Sequence, residues 1–494
     1  MSSATSLTAS NANPARTAGE RRFHLPRLLG SGTAGAVAIS SVLAAIYLLF
    51  VLHYSINVMF WDEWSDVPII NAALHSHLTL GLLWTQHNEN RIFVPNLVVV
   101  GSALVQNYDS KSIILLSALI FIASYAFILA SFRSYVGRPL TPMHSLTLGL
   151  VWFSLEDTEN SLWGFQLAWY MVLLFLVILV FLFANERRHR RTVLTVAVIV
   201  TIAASFSSLQ GLLLWPIGLM YLLWQRPRDR RGYAECGIWL LAAALTTAIY
   251  FWGFNFQTTG GGGSPGFALR HPIGLAKFIL AEIGNVIPTT NVFDLRLHEI
   301  VGLLVFIIAG YVVVRCVRDR KSQSDCPLPV ALIAFGILFD GSIALGRLKI
   351  GVVQALAPRY TMANLLVLFG IVAYAWAHVP AGTLRVGGRQ LTTARKVTLA
   401  LLMTFVVVQV GTSTKWAITS GRTTRAYRII AAQTIVNLDK MSGSAGQAFV
   451  SSYVYPNLTA LEPFLRVAER DHISDFAPGP YRFYRAKGPP IPTP

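Results

Sequence analysis

Ile92-Phe93-Val94-Pro95-Asn96-Leu97-Val98-Val99-Val100-Gly101-Ser102-Ala103-Leu104-Val105-Gln106 is the stretch whose reading decides the topology. It is apolar, but shorter than the roughly 20 residues that cross a bilayer, and Pro95 and Asn96 interrupt it. Its neighbours settle the matter by charge. Upstream, an apolar run from about Gly35 to Tyr54 follows Arg21, Arg22 and Arg27, which puts its first end in the cytoplasm. Downstream, the run Ser112 to Phe132 is followed by Arg133 and Arg138, and these belong inside by the same rule. One crossing out and one crossing back leave no place for a third between them. The sequence therefore predicts that Ile92 to Gln106 lies in the interface as a juxtamembrane helix, with Asn57 to Arg91 outside.

The same reasoning extends along the chain. Spans near Thr141 to Leu155, Gln166 to Ala184, Thr192 to Ser208, Gly211 to Trp224 and Cys236 to Phe254 alternate in direction. Further spans near Glu299 to Val314, Pro329 to Leu345, Tyr360 to Trp376 and Val397 to Gly411 continue the alternation. This path keeps the basic clusters after Glu186, from Arg226 to Arg231, from Arg315 to Lys321 and at Arg395-Lys396 on the inner side. The expected fold is an all-α polytopic membrane protein with about eleven transmembrane helices and juxtamembrane helices in the first outer loop. Residues 1–30 read as a disordered cytoplasmic tail, 31–413 as the transmembrane domain and 414–494 as a small extracytoplasmic C-terminal segment. In that last segment Phe449 to Val454 suits a strand and Leu458 to Arg470 a helix.

Composition agrees with a bilayer as solvent. The chain has 494 residues, 54% of them hydrophobic and 13% charged, where a globular chain carries about 25% charged. The net charge of +17 falls in clusters between apolar runs, so it reads as topology charge, and nucleic acid is not an expected partner. Cys236, Cys316 and Cys326 have neither the number for a disulfide framework nor zinc spacing. Gly260 to Gly263 lacks the Lys and Ser/Thr of a nucleotide loop.

Chemistry gathers in the outer loops. The first holds Trp61-Asp62-Glu63-Trp64-Ser65-Asp66 and then His87-Asn88-Glu89-Asn90-Arg91. A carboxylate beside tryptophans at a membrane surface combines a base with a platform for a sugar or lipid. The second holds Glu156-Asp157-Thr158-Glu159-Asn160, with Gln166 beyond. Carboxylates with amides suit sugar hydroxyls or a divalent cation, and no other cofactor is implied. His87 and Glu89 alone lack a third metal ligand. One loop breaks the charge rule: Arg347, Lys349 and Arg359, with Tyr360, fall outside. Such cations suit a phosphate at the bilayer surface, although they also anchor headgroups of membrane lipids.

This layout resembles the GT-C superfamily of membrane glycosyltransferases, which use polyprenyl-phosphate sugars. The resemblance covers about Gly35 to Phe254 and extends through the basic loop to Tyr360. Asp62-Glu63 stands where that family carries an acidic motif, Ile92 to Gln106 where it has juxtamembrane helices, and Glu156 to Glu159 where a second acidic position falls. The Trp61-Asp62-Glu63-Trp64 segment followed by His87-x-Glu89-x-Arg91 also resembles a group of uncharacterised bacterial multi-pass membrane proteins. Protein mannosyltransferases carry a His-Pro-Pro-Leu-like stretch that Val94-Pro95-Asn96-Leu97 matches only in part, and the Trp-Trp-Asp motif of oligosaccharyltransferases is missing. The acceptor is therefore left open among glycan, lipid and protein.

The resemblance implies an inverting hexosyl- or pentosyltransferase of the bacterial cytoplasmic membrane, N-terminus inside and C-terminus outside. Asp62 would deprotonate the acceptor and Glu63 would orient it. Trp61, Trp64, His87, Glu89, Arg91, Glu156, Asp157, Glu159, Asn160 and Gln166 would bind substrate. Arg347, Lys349, Arg359 and Tyr360 would hold the lipid phosphate. A glycan ligase or polymerase would need similar residues. A lipid or glycan transporter is the alternative, and it would place ionisable groups within spans, where Asp340 is one candidate.

Overall fold

A computed structural model describes residues 31–185, 190–226, 229–256, 265–288, 295–319, 327–378 and 393–490. The expected cytoplasmic tail, the Gly260 to Gly263 stretch and the Arg320–Lys321 and Arg395–Lys396 charges lie outside the residues whose side chains are described. Among the described residues helices make up nearly all of the regular structure, and the one sheet is the two-residue pair Gln86–His87 and Asn90–Arg91.

Among the described residues, eight helices are long and apolar enough to cross a bilayer. They are Gly32–Tyr54, Ser110–Val136, Gly164–Ala184, Arg230–Phe251, Leu295–Arg318, Leu328–Ile350, Pro358–Ala377 and Ala400–Val436. Several turn Leu, Ile and Val side chains outward, among them Leu49, Leu245, Ile300, Leu304 and Val407. In water that would be an apolar patch far beyond what a soluble monomer exposes; in hydrocarbon it costs nothing. The protein is therefore an all-α membrane protein.

Among the described residues the expected count of about eleven spans is not reached. Three expected spans fall on the helices Pro142–Trp152, Arg190–Ser205 and Leu214–Gln225, of 11, 16 and 12 residues. At about 1.5 Å per residue they reach about 16 to 24 Å, against about 30 Å of hydrocarbon. The last two meet at Ser205–Ser208 and the 3-10 turn Leu209–Leu213. There Gly211 lets the chain fold back on itself, since a Cβ at this position would lie 1.8 Å from the Ala204 carbonyl oxygen.

Ile92 to Gln106 is a helix over Phe93–Gln106, of 14 residues. It packs against the short Val67–Leu74 helix of the same loop. The expected strand at Phe449 to Val454 is instead the end of the helix Gly443–Tyr453. Its Val450 is buried in one cluster with Ala431, Ala432 and Leu461, so packing on neighbouring helices overrides the β-propensity of Phe, Val and Tyr. The helix Leu458–Arg470 falls where the sequence places it. The expected edge between 413 and 414 lies inside one continuous helix, Thr393–Val436, of 44 residues.

That long helix carries the C-terminal segment to the first loop. Met59 donates its N–H to Asp475 Oδ2 at 2.9 Å, Ser474 donates its hydroxyl to Asn57 Oδ1 at 2.7 Å, and Trp61 donates its N–H to the Val454 carbonyl at 3.1 Å. The C-terminal helices and the first loop share one apolar cluster, with Trp64, Val450, Leu461 and Phe476 buried in it.

The helices Pro272–Gly284 and Leu295–Arg318 approach closely at two glycines. A Cβ on Gly284 would lie 1.9 Å from the His298 carbonyl oxygen, and one on Gly302 would lie 1.8 Å from that of Leu280. Gly284→Val should therefore lower the thermal midpoint of the detergent-purified protein, by at least the roughly 1–3 kcal/mol of an overpacked core. Gly310→Val, on the partner helix Leu295–Arg318, meets nothing within 4 Å and should leave it within error. Equal midpoints for the two variants would contradict this packing.

Candidate functional site

The first loop leaves the Ser31–Tyr54 helix extended and turns at Trp61–Asp66, a 3-10 helix. Trp61 starts that turn with φ 49°. The two carboxylates the sequence singles out then part company. Glu63 points inward and is fully buried. Its Oε2 accepts from the Phe60 N–H at 2.9 Å and its Oε1 from the Ser110 hydroxyl at 2.8 Å. Glycine makes room opposite, because a Cβ on Gly164 would fall 2.2 Å from Glu63 Oε1 and push that carboxylate off its Ser110 hydrogen bond. Burial pushes the Glu63 pKa up from 4.5 to about 7, against the opposing pull of Arg428 and the hydrogen bonds.

Asp62 points the other way, with its side chain 33% exposed. Its Oδ1 is 3.5 Å from His87 Nε2. The Ser65 hydroxyl donates to the Asp62 carbonyl oxygen at 2.6 Å and lies 3.0 Å from His87 Nδ1. With the hydroxyl proton used on the carbonyl, Nδ1 carries hydrogen and donates to Ser65. Neutral His87 then receives the Asn88 amide at Nε2, 3.1 Å away. A second proton on the ring would face Asp62 instead. Asp62 and His87 thus offer a proton two adjacent stations.

Aromatic rings floor this spot. His87 sits 4.6 Å from the Phe165 ring, and Phe60 meets both Trp61 and Trp163 at 5.9 Å. Of the two tryptophans in the motif only Trp61 keeps an exposed face, at 39%. Trp64 is sealed in the apolar cluster and presents no surface to a ligand.

His87 is held in place by the hairpin Gln86–Arg91, whose turn uses Asn88 at φ 50°. Arg91 anchors that hairpin. Its guanidinium donates to the carbonyls of Trp84 at 2.7 Å, Trp252 at 2.8 Å and Tyr250 at 3.3 Å. These last two carbonyls close the C-terminal end of the Arg230–Phe251 helix, where a cation is favoured. Asn90 Oδ1 accepts from the Ser208 hydroxyl at 3.0 Å and the Leu209 N–H at 2.9 Å, so the polar turn between the half-length helices props the same hairpin.

The remaining predicted residues meet across loops. Glu89 Oε1 pairs with Arg347 at 2.9 Å and Glu159 Oε1 with Arg359 at 2.6 Å. The Asn160 amide donates to the Arg359 carbonyl at 2.7 Å and to Asp157 Oδ1 at 2.6 Å. All three loops therefore lie at one end of the helix bundle. Both arginines already hold carboxylates, while Lys349 is exposed and has no ion-pair partner within 4 Å among the described residues. Glu156, Asp157, Gln166 and Tyr360 are buried. Burial holds the Glu156 and Asp157 carboxyls well above the usual carboxylate range. Among the described residues no three His, Cys, Asp or Glu side chains converge as a metal group.

Sequence reasoning missed Arg428. This residue of the long helix is 7% exposed and lies over the Phe60 ring at 3.5 Å, near enough to Glu63, Glu159 and Asp475 to feel their charge. The signal was present: Arg422, Arg425 and Arg428 fall in the segment that the sequence places outside, where the charge rule does not expect a basic cluster, as with Arg347. Neither a family model nor a curated protein matches this chain.

The Glu63 shift has a sign that can be tested. Between about 4.5 and about 7 the folded chain keeps a proton that the unfolded chain releases, so stability falls as pH rises through that window. Asp66 and Asp475, also raised by burial, act in the same sense. Glu63→Gln should flatten the fall without abolishing it, read as unfolding midpoints across that window. A slope unchanged by Glu63→Gln would contradict the assignment.

Proposed function

We propose that this protein is an inverting membrane glycosyltransferase of the GT-C kind, which moves a sugar from a polyprenyl phosphate to an acceptor hydroxyl on the non-cytoplasmic side of a bacterial inner membrane. The observation that carries the reading is the partly exposed Asp62–His87 pair beside the exposed Trp61, in a loop that Glu89 ties to the Arg347–Lys349 segment. A proton acceptor, an aromatic face and a free cation share one end of the bundle, which is the set that glycosyl transfer from a lipid phosphate needs.

In the proposed reaction the acceptor oxygen attacks the anomeric carbon as Asp62 takes its proton, with His87 beside it as the second station. The bond from the anomeric carbon to the phosphate oxygen breaks, and the lipid phosphate departs with the electron pair. Lys349 meets that charge, and Arg347 and Arg359 add to the local positive potential while holding the loops together. Trp61 offers the sugar an apolar face. Glu63, buried and bonded to Ser110 and Phe60, shapes the turn that aims Asp62 outward.

The second reading is lipid or glycan transport without bond making. It draws on Asp340 and Glu282, two carboxylates fully buried inside the bundle.

Proteoliposomes supplied with a radiolabelled polyprenyl-phosphate sugar and a mixed acceptor extract separate the two. Asp62→Asn should lower kcat by about 10²–10⁴-fold, and Lys349→Ala should raise KM for the donor. Full turnover by Asp62→Asn would remove it as the base. Movement of the intact donor across the bilayer with no transfer would favour the second reading.

A further inference from the structure

Beneath the candidate site a polar column runs into the bundle. Tyr360 and Thr361 start the Thr361–Ala377 helix, and Asn285 caps the end of Pro272–Gly284. The Asn285 amide donates to Thr361 Oγ1 at 3.2 Å, and the Asn364 amide donates to the Glu282 carbonyl at 2.7 Å. Below them lie the side chains of Glu282 and Asp340. Asp340 is on the helix that ends at Arg347, two turns or about 10 Å before it and on the same face.

Glu282, Asp340 and Asn364 are each completely buried. All four oxygens of the two carboxylates lack a hydrogen-bond partner, and so does Asn364 Oδ1. The two carboxylates are close enough to repel one another. No lysine or arginine pairs with either within 4 Å among the described residues. An ionised carboxylate in such surroundings is far too costly to stand unneutralised. Asn364 Oδ1 is the independent witness, because its amide cannot titrate and yet it too is left as a bare acceptor against the Glu282 turn. A group of hard oxygens with two negative charges and no donor is what a divalent cation of the Mg²⁺, Mn²⁺ or Ca²⁺ class selects.

We propose that Glu282, Asp340 and the Asn364 amide oxygen bind one such divalent cation inside the bundle, below the Arg347 and Arg359 loops. The cation joins the helices Pro272–Gly284, Leu328–Arg347 and Thr361–Ala377, which carry the basic loop of the site. It neutralises the pair without touching Asp62 or His87, and it does not depend on which reaction the outer loops perform.

The test uses the full chain in detergent after removal of metal by EDTA, titrated with Mn²⁺ and followed by electron paramagnetic resonance of the free ion. Wild type should take up one Mn²⁺ per chain, and Glu282→Gln and Asp340→Asn should each weaken that uptake by at least about tenfold. Absence of stoichiometric uptake by wild type, or uptake unchanged in both variants, would overturn the site. A measurement on wild type guards against variants that do not fold. Dicyclohexylcarbodiimide attacks protonated buried carboxyls, and its labelling of Glu282 and Asp340, read by peptide mass, should be suppressed by Mn²⁺. Labelling that ignores Mn²⁺ would mean that protons hold the pair. No sugar donor enters either assay, so their failure leaves the glycosyltransferase proposal where it stands, and its failure leaves the cation site intact.

Discussion

Two ion pairs, Glu89 with Arg347 and Glu159 with Arg359, decide how the loops of this protein meet. Their partners are 23–28% exposed, so each contributes only about 0.2–1 kcal/mol net. The fold does not stand on that energy; apolar packing between helices supplies far more. What the pairs supply is register. In a chain with 13% charged residues, a cation placed against the wrong loop would leave two half-buried charges unmatched. The pairs therefore favour the placement of the basic segment against the first and second acidic loops. Arg91 does the same work within the first loop, where its three carbonyl contacts hold the hairpin that presents His87.

Charge order along the chain made much of this legible. The reading of Ile92 to Gln106 as a short helix follows from the basic residues on both sides of the first two spans, Arg21 to Arg27 and Arg133 with Arg138, and it is the reading under which the loops of Asp62, Glu156 and Arg347 fall at one end of the bundle. Length was less informative. Pro142–Trp152 and the pair Arg190–Ser205 and Leu214–Gln225 read as spans because apolar runs look alike whether they cross a membrane or stop partway. The cause of the stop, the polar turn at Ser207 to Gly211 that meets Asn90, involves partners more than a hundred residues apart. The Thr393–Val436 helix hides its second half for a similar reason, since its outer turns are polar and gain their burial from the first loop.

The site was legible as a neighbourhood and not as a set of roles. Asp62 and Glu63 are adjacent, and a 3-10 turn sends one to solvent and the other to Ser110. Nothing local distinguishes them; Gly164, distant in sequence, makes the room that Glu63 occupies. Trp61 and Trp64 divide in the same way, one exposed and one in the core. Arg347 and Arg359 read as phosphate ligands because the loop breaks the charge rule, but the acidic loops that meet them are visible only in three dimensions. Lys349 meets none of them and stays exposed.

The proposed site requires that the first loop and the basic loop occupy one compartment. Labelling by a membrane-impermeant maleimide in intact cells tests it, on a chain whose three cysteines are replaced and which carries either Trp61→Cys or Lys349→Cys. Both positions are exposed. With the site on the outer face, as proposed, both should react from outside the cell membrane before lysis. Reaction of one before lysis and of the other only after it would rule that site out.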